Sequence, residues 1–144
     1  MKYFALLFCF MLFGKAYPCD CMGKPEIKSE IRNSNVILSG VVLKQNIIEE
    51  FPDKSGKIYV ENLVLVETIF KGKIINDTLK IYSGLGKGDC GYWFTIGKKY
   101  IIYAQYSDEF TQLTKTKSLY TNICMRTDNY NEEEVRKLKR YSKL

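Results

Sequence analysis

The chain has 144 residues, 22 Lys and Arg against 16 Asp and Glu, a net charge of +6, and no histidine. Without histidine the commonest general base and metal ligand are missing, which argues against an enzyme and against a resident cofactor or metal. Of the basic residues only Arg32, Arg126, Arg136 and Arg140 carry the planar fork that specific phosphate recognition favours, so nucleic acid is not an expected partner. Scattered lysine leaves room for attraction to anionic glycans or surfaces.

Met1-Lys2 is a positive start, Tyr3 to Phe13 is apolar, and Gly14-Lys15-Ala16 ends small-x-small. This is the layout of a secretory signal peptide over residues 1–16, too short to span a bilayer. The preferred cut follows Ala16; a cut before Cys19 would put Pro18 where a small residue is wanted. Residues 17–144 then form one domain that keeps four of the five cysteines, since Cys9 leaves with the leader. No later apolar run is long enough for a transmembrane segment. The expected product is a monomer that is secreted, periplasmic or held at the cell surface.

Along the mature chain, Pro25 to Arg32 predicts a short helix, with proline in its first turn and Ile27 and Ile31 four apart on one face. Val36 to Leu43 predicts a first strand, bent or bulged at Gly40. Phe51 to Gly56 is a turn-rich loop, Lys57 to Phe70 a long strand, and Thr78 to Tyr82 a third. Ser83 to Gly91 is a glycine-rich connector. Gly84, Gly86 and Gly88 do not make a phosphate cradle, because Asp89-Cys90-Gly91-Tyr92-Trp93-Phe94 follows in place of a helix start. Gly97 turns into a fourth strand ending near Ala104, and Gln112 to Tyr120 is polar enough for a fifth strand at an edge.

The C-terminus is the best helix. Asn131 can cap it, Glu134 holds the reciprocal capping position, acids 132–134 lead, and Arg136, Lys137, Lys139 and Arg140 trail. Val135 and Leu138 would dock it. Five strands without βα alternation predict a mainly β fold, a small antiparallel barrel or a sandwich, flanked by the two helices.

In an oxidising compartment four cysteines predict two disulfides. Pairing Cys19 with Cys21 would strain a short ring, and residues two apart in extended chain point the same way. Each therefore seeks Cys90 or Cys124, in one order or the other. Zinc is disfavoured, because Cys90 and Cys124 each stand alone in the sequence.

A broader pattern runs from Cys19 to Thr127. It comprises Cys-x-Cys at the mature start, Asn33-Ser34-Asn35-Val36-Ile37-Leu38-Ser39-Gly40-Val41-Val42, Phe70-Lys71-Gly72, and Asp89-Cys90-Gly91 followed by Phe94. Gly97-x-x-Tyr100-x-x-Tyr103-Ala104 and Leu119-x-Thr121-x-x-Cys124-x-Arg126-Thr127 complete it. The pattern resembles the netrin-like domain family, especially bacterial proteins similar to tissue inhibitors of metalloproteinases. The resemblance implies a five-stranded OB-fold-type barrel flanked by helices, with pairs Cys19–Cys90 and Cys21–Cys124.

It also implies a protein-binding module, with a zinc metalloproteinase or another extracellular protein as partner. The implied contact ridge comprises Cys19, Asp20, Cys21 and Met22, with Gly88 and Asp89 beside them. In the animal inhibitors the amine and carbonyl of an N-terminal cysteine chelate the protease zinc. A cut after Ala16 leaves Tyr17-Pro18 ahead of Cys19 and turns that amine into an amide. Asp20 would moreover bring a carboxylate toward the protease's own. The alternative is a non-inhibitory extracellular module for glycans or matrix polymers.

Tyr59, Tyr82, Tyr92, Tyr100, Tyr103, Tyr106 and Tyr120 with Trp93 are candidates for a glycan-stacking face, or else for half-buried packing. Glu49-Glu50 and Glu132-Glu133-Glu134 read as solvated, and Asn76-Asp77-Thr78 fits a glycosylation sequon.

Overall fold

The computed structural model describes Cys19, Cys21, residues 23–49 and residues 56–141. Residues 1–18, with the expected leader, Asp20, Met22, residues 50–55, with most of the expected turn-rich loop, and residues 142–144 lie outside the described residues.

The chain is mainly β. Helix α1 (Ile27–Asn33) leads into β1 (Val36–Ile48), β2 (Tyr59–Lys71), β3 (Thr78–Gly84) and β4 (Lys99–Ser107). A single turn, α2 (Thr111–Thr114), precedes β5 (Ser118–Tyr120) and β6 (Asp128–Asn129), and α3 (Glu132–Tyr141) closes the chain. The strands follow the order β1-β2-β3-β5-β4, and β1 also pairs with β4, so five strands form a ring with β6 added on the far side of β4.

Two features depart from a simple antiparallel scheme. The β3–β5 pair is parallel, with Ile81 opposite Leu119 and Tyr82 opposite Tyr120. The fifth strand is three residues long and sits between β3 and β4, not at an edge. Phe110 explains the shortening. It is fully buried, stacked 4.5 Å from Tyr82 and edge-on to Tyr59 at 4.9 Å, and this holds the chain in a helical turn where a strand was expected. Lys115, at φ 62, ends that turn in the left-handed region.

β1 bends so that it can serve two neighbours. Its N-terminal part pairs with β4 from Val36–Ala104 to Val41–Lys99, while Ile37 to Ile48 pairs with β2. The register to β2 slips between Ser39 and Gly40. A Cβ at Gly40 would collide with the Leu65 carbonyl and lie 2.7 Å from Val64, so only glycine permits this approach.

Alternation sorts the core. Val36, Leu38, Val42, Val64, Ile81, Phe94 and Ile102 fill the ring interior. Ile37, Ile101 and Tyr103 point outward and are covered by Ile27 of α1 and by Val135 and Leu138 of α3. With helices on one face and a core on the other, β1 and β4 are buried on both sides. Their sequences therefore read as near-continuous apolar runs. At about 25 cal/mol per Å², each such fully buried aliphatic side chain contributes roughly 1.5–3 kcal/mol relative to exposure.

The α3 cap forms as expected: Asn131 Oδ1 accepts from Glu133 N–H at 2.8 Å and Glu134 N–H at 3.3 Å. Glu134 itself is drawn elsewhere, to Arg126 and Tyr103. It is not solvated, as the acidic run suggested; its side chain is 11% exposed.

Candidate functional site

Two disulfides, Cys19–Cys90 and Cys21–Cys124, tie the N-terminal segment to the rest of the fold, with Cα–Cα distances of 5.3 and 5.1 Å. Cys90 ends the connector after β3, and Cys124 lies in the loop between β5 and β6. Three stretches distant in sequence therefore meet. Cys19 Sγ stands 3.5 Å from the Gly88 carbonyl.

The connector is shaped by one side chain. The Asp89 carboxylate accepts hydrogen bonds from the N–H groups of Leu85 at 2.5 Å, Gly86 at 2.8 Å and Gly91 at 3.0 Å. It is occupied by its own loop, so its part in the ridge is to hold the shape on which Cys90 and Gly88 are presented. Gly84 and Gly91 allow the loop to close, because a Cβ at Gly91 would run into the Gly84 backbone. Cys90 sits at φ 59, a left-handed conformation unusual for a residue with a side chain. Its carbonyl accepts from Ile123 N–H at 3.0 Å, and Gly91 bridges to Asn122.

The second loop is built by Asn122, whose Oδ1 accepts from Cys124 N–H at 2.9 Å and Met125 N–H at 3.1 Å. Beneath it, the hydroxyls of Thr121 and Thr127 lie 2.7 Å apart, and Tyr103 N–H donates to Thr127 at 2.9 Å. Arg126 then reaches across. It donates to Glu134 at 2.8 and 2.9 Å and to the Pro25 carbonyl at 2.6 Å, joining the loop to α3 and to the segment that follows Cys21.

Electrostatically, the Asp89 carboxyl is raised by burial, but the N–H donors of Gly91, Leu85 and Gly86 outweigh this and hold it below its ordinary 3.8. The ionised form is thus favoured by folding. Its stabilisation is complete above the unfolded value and is lost as pH falls through the lowered folded value. The connector is expected to loosen only below about pH 4, visible as shifts of the Leu85, Gly86 and Gly91 amide resonances. Asp89→Ala should speed exchange of those three amides roughly tenfold at neutral pH, leaving the core amides of β1 and β4 unchanged.

Two exposed apolar residues flank the bridges and were not part of the expected ridge: Ile123, 46% exposed beside Cys124, and Trp93, 49% exposed, whose Cβ packs near Gly86. An isoleucine next to a bridging cysteine in an Asn-led turn was the available signal for the first. Behind the connector lies a cleft of about 430 Å³, lined in part by Tyr59, Leu85, Lys87 and Tyr120.

The aromatic residues do not form one platform. Tyr59, Tyr82, Tyr100 and Tyr103 are buried and Tyr92 and Tyr120 half-buried, while Tyr106 and Trp93 are exposed in separate surface features. Among the described residues no group of three or more acidic or cysteine side chains is placed to hold a metal ion. Nor is any described helix long and apolar enough to cross a membrane. Paired cysteines fit an oxidising compartment.

The chain matches none of the protein-family models against which it was scanned. A search of curated proteins finds no match either.

Proposed function

We propose that this is an exported, netrin-like module of the OB-fold type that binds a protein partner through the ridge of Cys19 to Met22 and the Gly88–Asp89 connector, with a zinc endopeptidase as the partner class. One observation carries the reading. Of the four cysteines after residue 16, the bridges pair first with third and second with fourth, Cys19–Cys90 and Cys21–Cys124, the order that the netrin-like resemblance implies. The ring order β1-β2-β3-β5-β4 with closure back to β1 supports it, since a five-stranded Greek-key barrel needs such a closure.

The chain acts by contact and not by turnover. It has no histidine, and every described cysteine is held in a bridge. With Tyr17-Pro18 retained ahead of Cys19, the α-amine cannot chelate zinc, so inhibition would come from occlusion by the ridge. Sequencing the N-terminus of exported protein and titrating it against a panel of zinc endopeptidases tests both points. The expected outcome is an N-terminal Tyr17 and saturable inhibition at roughly micromolar concentration. A Tyr17 start with no inhibition at that concentration removes the protease as partner.

A further inference from the structure

Away from the ridge, a trough crosses the outer face of β1, β2 and β3. It consists of three adjoining hollows of about 400, 680 and 320 Å³. The first two share Lys80, Tyr82 and Thr114, and the last two share Asn46, Glu61 and Lys80, so the surface is continuous. The β2–β3 loop marks one end and Lys44 of β1 with Leu63 of β2 the other, and Thr114 of α2 lies where the first two hollows meet.

Its lining combines two chemistries. Aliphatic side chains stand in water: Ile75 in the β2–β3 loop is 97% exposed, Ile47 48% and Leu113 40%. An isoleucine so fully hydrated gains from any partner that covers it. Lys73, Lys80 and Lys117 line the same hollows as these anchors, and Lys44 lines the last one. Glu61 is engaged by Lys80 at 3.1 Å and by the Tyr82 hydroxyl at 2.7 Å, and Asp108 engages Lys117. Lys44 and Lys73 have no ion pair or hydrogen bond among the described residues. The trough is therefore apolar in its anchors and positive in its uncompensated charge.

We propose that this trough is a second docking site, for an extended acidic peptide segment of a partner protein carrying aliphatic anchors. Charge complementarity selects the acidic partner, and the aliphatic residues select its side chains. In an extended segment alternate side chains face one way, so one set reaches Ile47, Ile75 and Leu113 while the other places carboxylates beside the lysines. Tyr106 is the exposed aromatic of the trough, and a single ring makes no stacking platform for a sugar or nucleotide chain. A concave lining is also poorly matched to a flat lipid surface. The site is separate from the ridge and does not depend on its function.

The test uses the full oxidised chain and a fluorescein-labelled peptide alternating Glu and Leu, followed by anisotropy. Binding is expected to saturate and to weaken as salt rises. Ile75→Asp and Lys73→Glu should each weaken it roughly tenfold or more. Both side chains are exposed, so thermal melts of the variants should coincide with the parent, and Asp89→Ala on the ridge should leave the affinity unchanged. The proposal is overturned if the peptide does not bind or if neither trough variant alters binding. Equal binding of a Glu-only peptide, of heparin fragments or of phosphatidylserine vesicles would overturn it as well, because each would show that charge alone, or another surface, is being recognised.

Discussion

Replacing Cys21 and Cys124 together by serine is expected to remove about 4–5 kcal/mol of stability, the largest single effect in this chain. The bond joins residues 103 apart in sequence, against 71 for Cys19–Cys90. In the chain-entropy account the longer loop restricts the unfolded state more, although the dependence on length is only logarithmic. Set against a typical total of about 5–15 kcal/mol, such a loss leaves little reserve. The β5–β6 loop should survive locally, because Asn122 still accepts from Cys124 and Met125 backbone N–H groups. What is released is the stretch between Cys21 and α1 from the β5–β6 loop, while Cys19–Cys90 still holds the leading end of the ridge to the connector. Urea titrations of the two proteins should show the midpoint falling sharply. Protease should then cut ahead of α1 first. A loss below about 1 kcal/mol would overturn the chain-entropy account of this bond's contribution.

Arg126→Ala is expected to cost about 3–5 kcal/mol, far more than a surface ion pair would. The Arg126 and Glu134 side chains are 16% and 11% exposed, and the contact is bidentate. Glu134 also accepts from the Tyr103 hydroxyl at 2.7 Å, and burial followed by this carboxylate raises the Tyr103 pKa well above the usual range. Removing the guanidinium strands a carboxylate between the sheet and α3 and leaves the Pro25 carbonyl without its donor. The cost is mainly that of the abandoned charge. The double variant Arg126→Met with Glu134→Leu should accordingly recover most of the loss. Chemical denaturation of both variants decides this. If the single variant lost less than about 1 kcal/mol, the pair would be behaving as a solvated one. By contrast, the exposed pair Lys24–Asp128 should be worth less than about 1 kcal/mol.

Much of this architecture is legible in the residues themselves. The faces of α1 and α3, the Asn131 cap, the bend at Gly40 and the positions of β1 to β4 all follow from local rules. Periodicity, cap chemistry and the lack of a Cβ act within a few residues of chain. The candidate partners of Cys19 and Cys21 follow as well, from cysteine count and strand geometry, and the family resemblance supplied their order.

Tertiary structure decided the rest. Nothing local in Gln112 to Tyr120 announces that Phe110 will be swallowed by Tyr59, Tyr82 and Tyr120, yet that burial reduces an expected nine-residue strand to three. The parallel β3–β5 pair and the two-residue β6 depend on where distant strands already lie. Glu134 stands where a capping box would use it, but Arg126 offers a bidentate, shielded partner and the carboxylate turns inward. Asp89 looks like a contact residue in the sequence and proves to be the hub of its own loop. In each case a polar or aromatic side chain had a local role open to it. A stronger partner, brought near only by folding, claimed it instead.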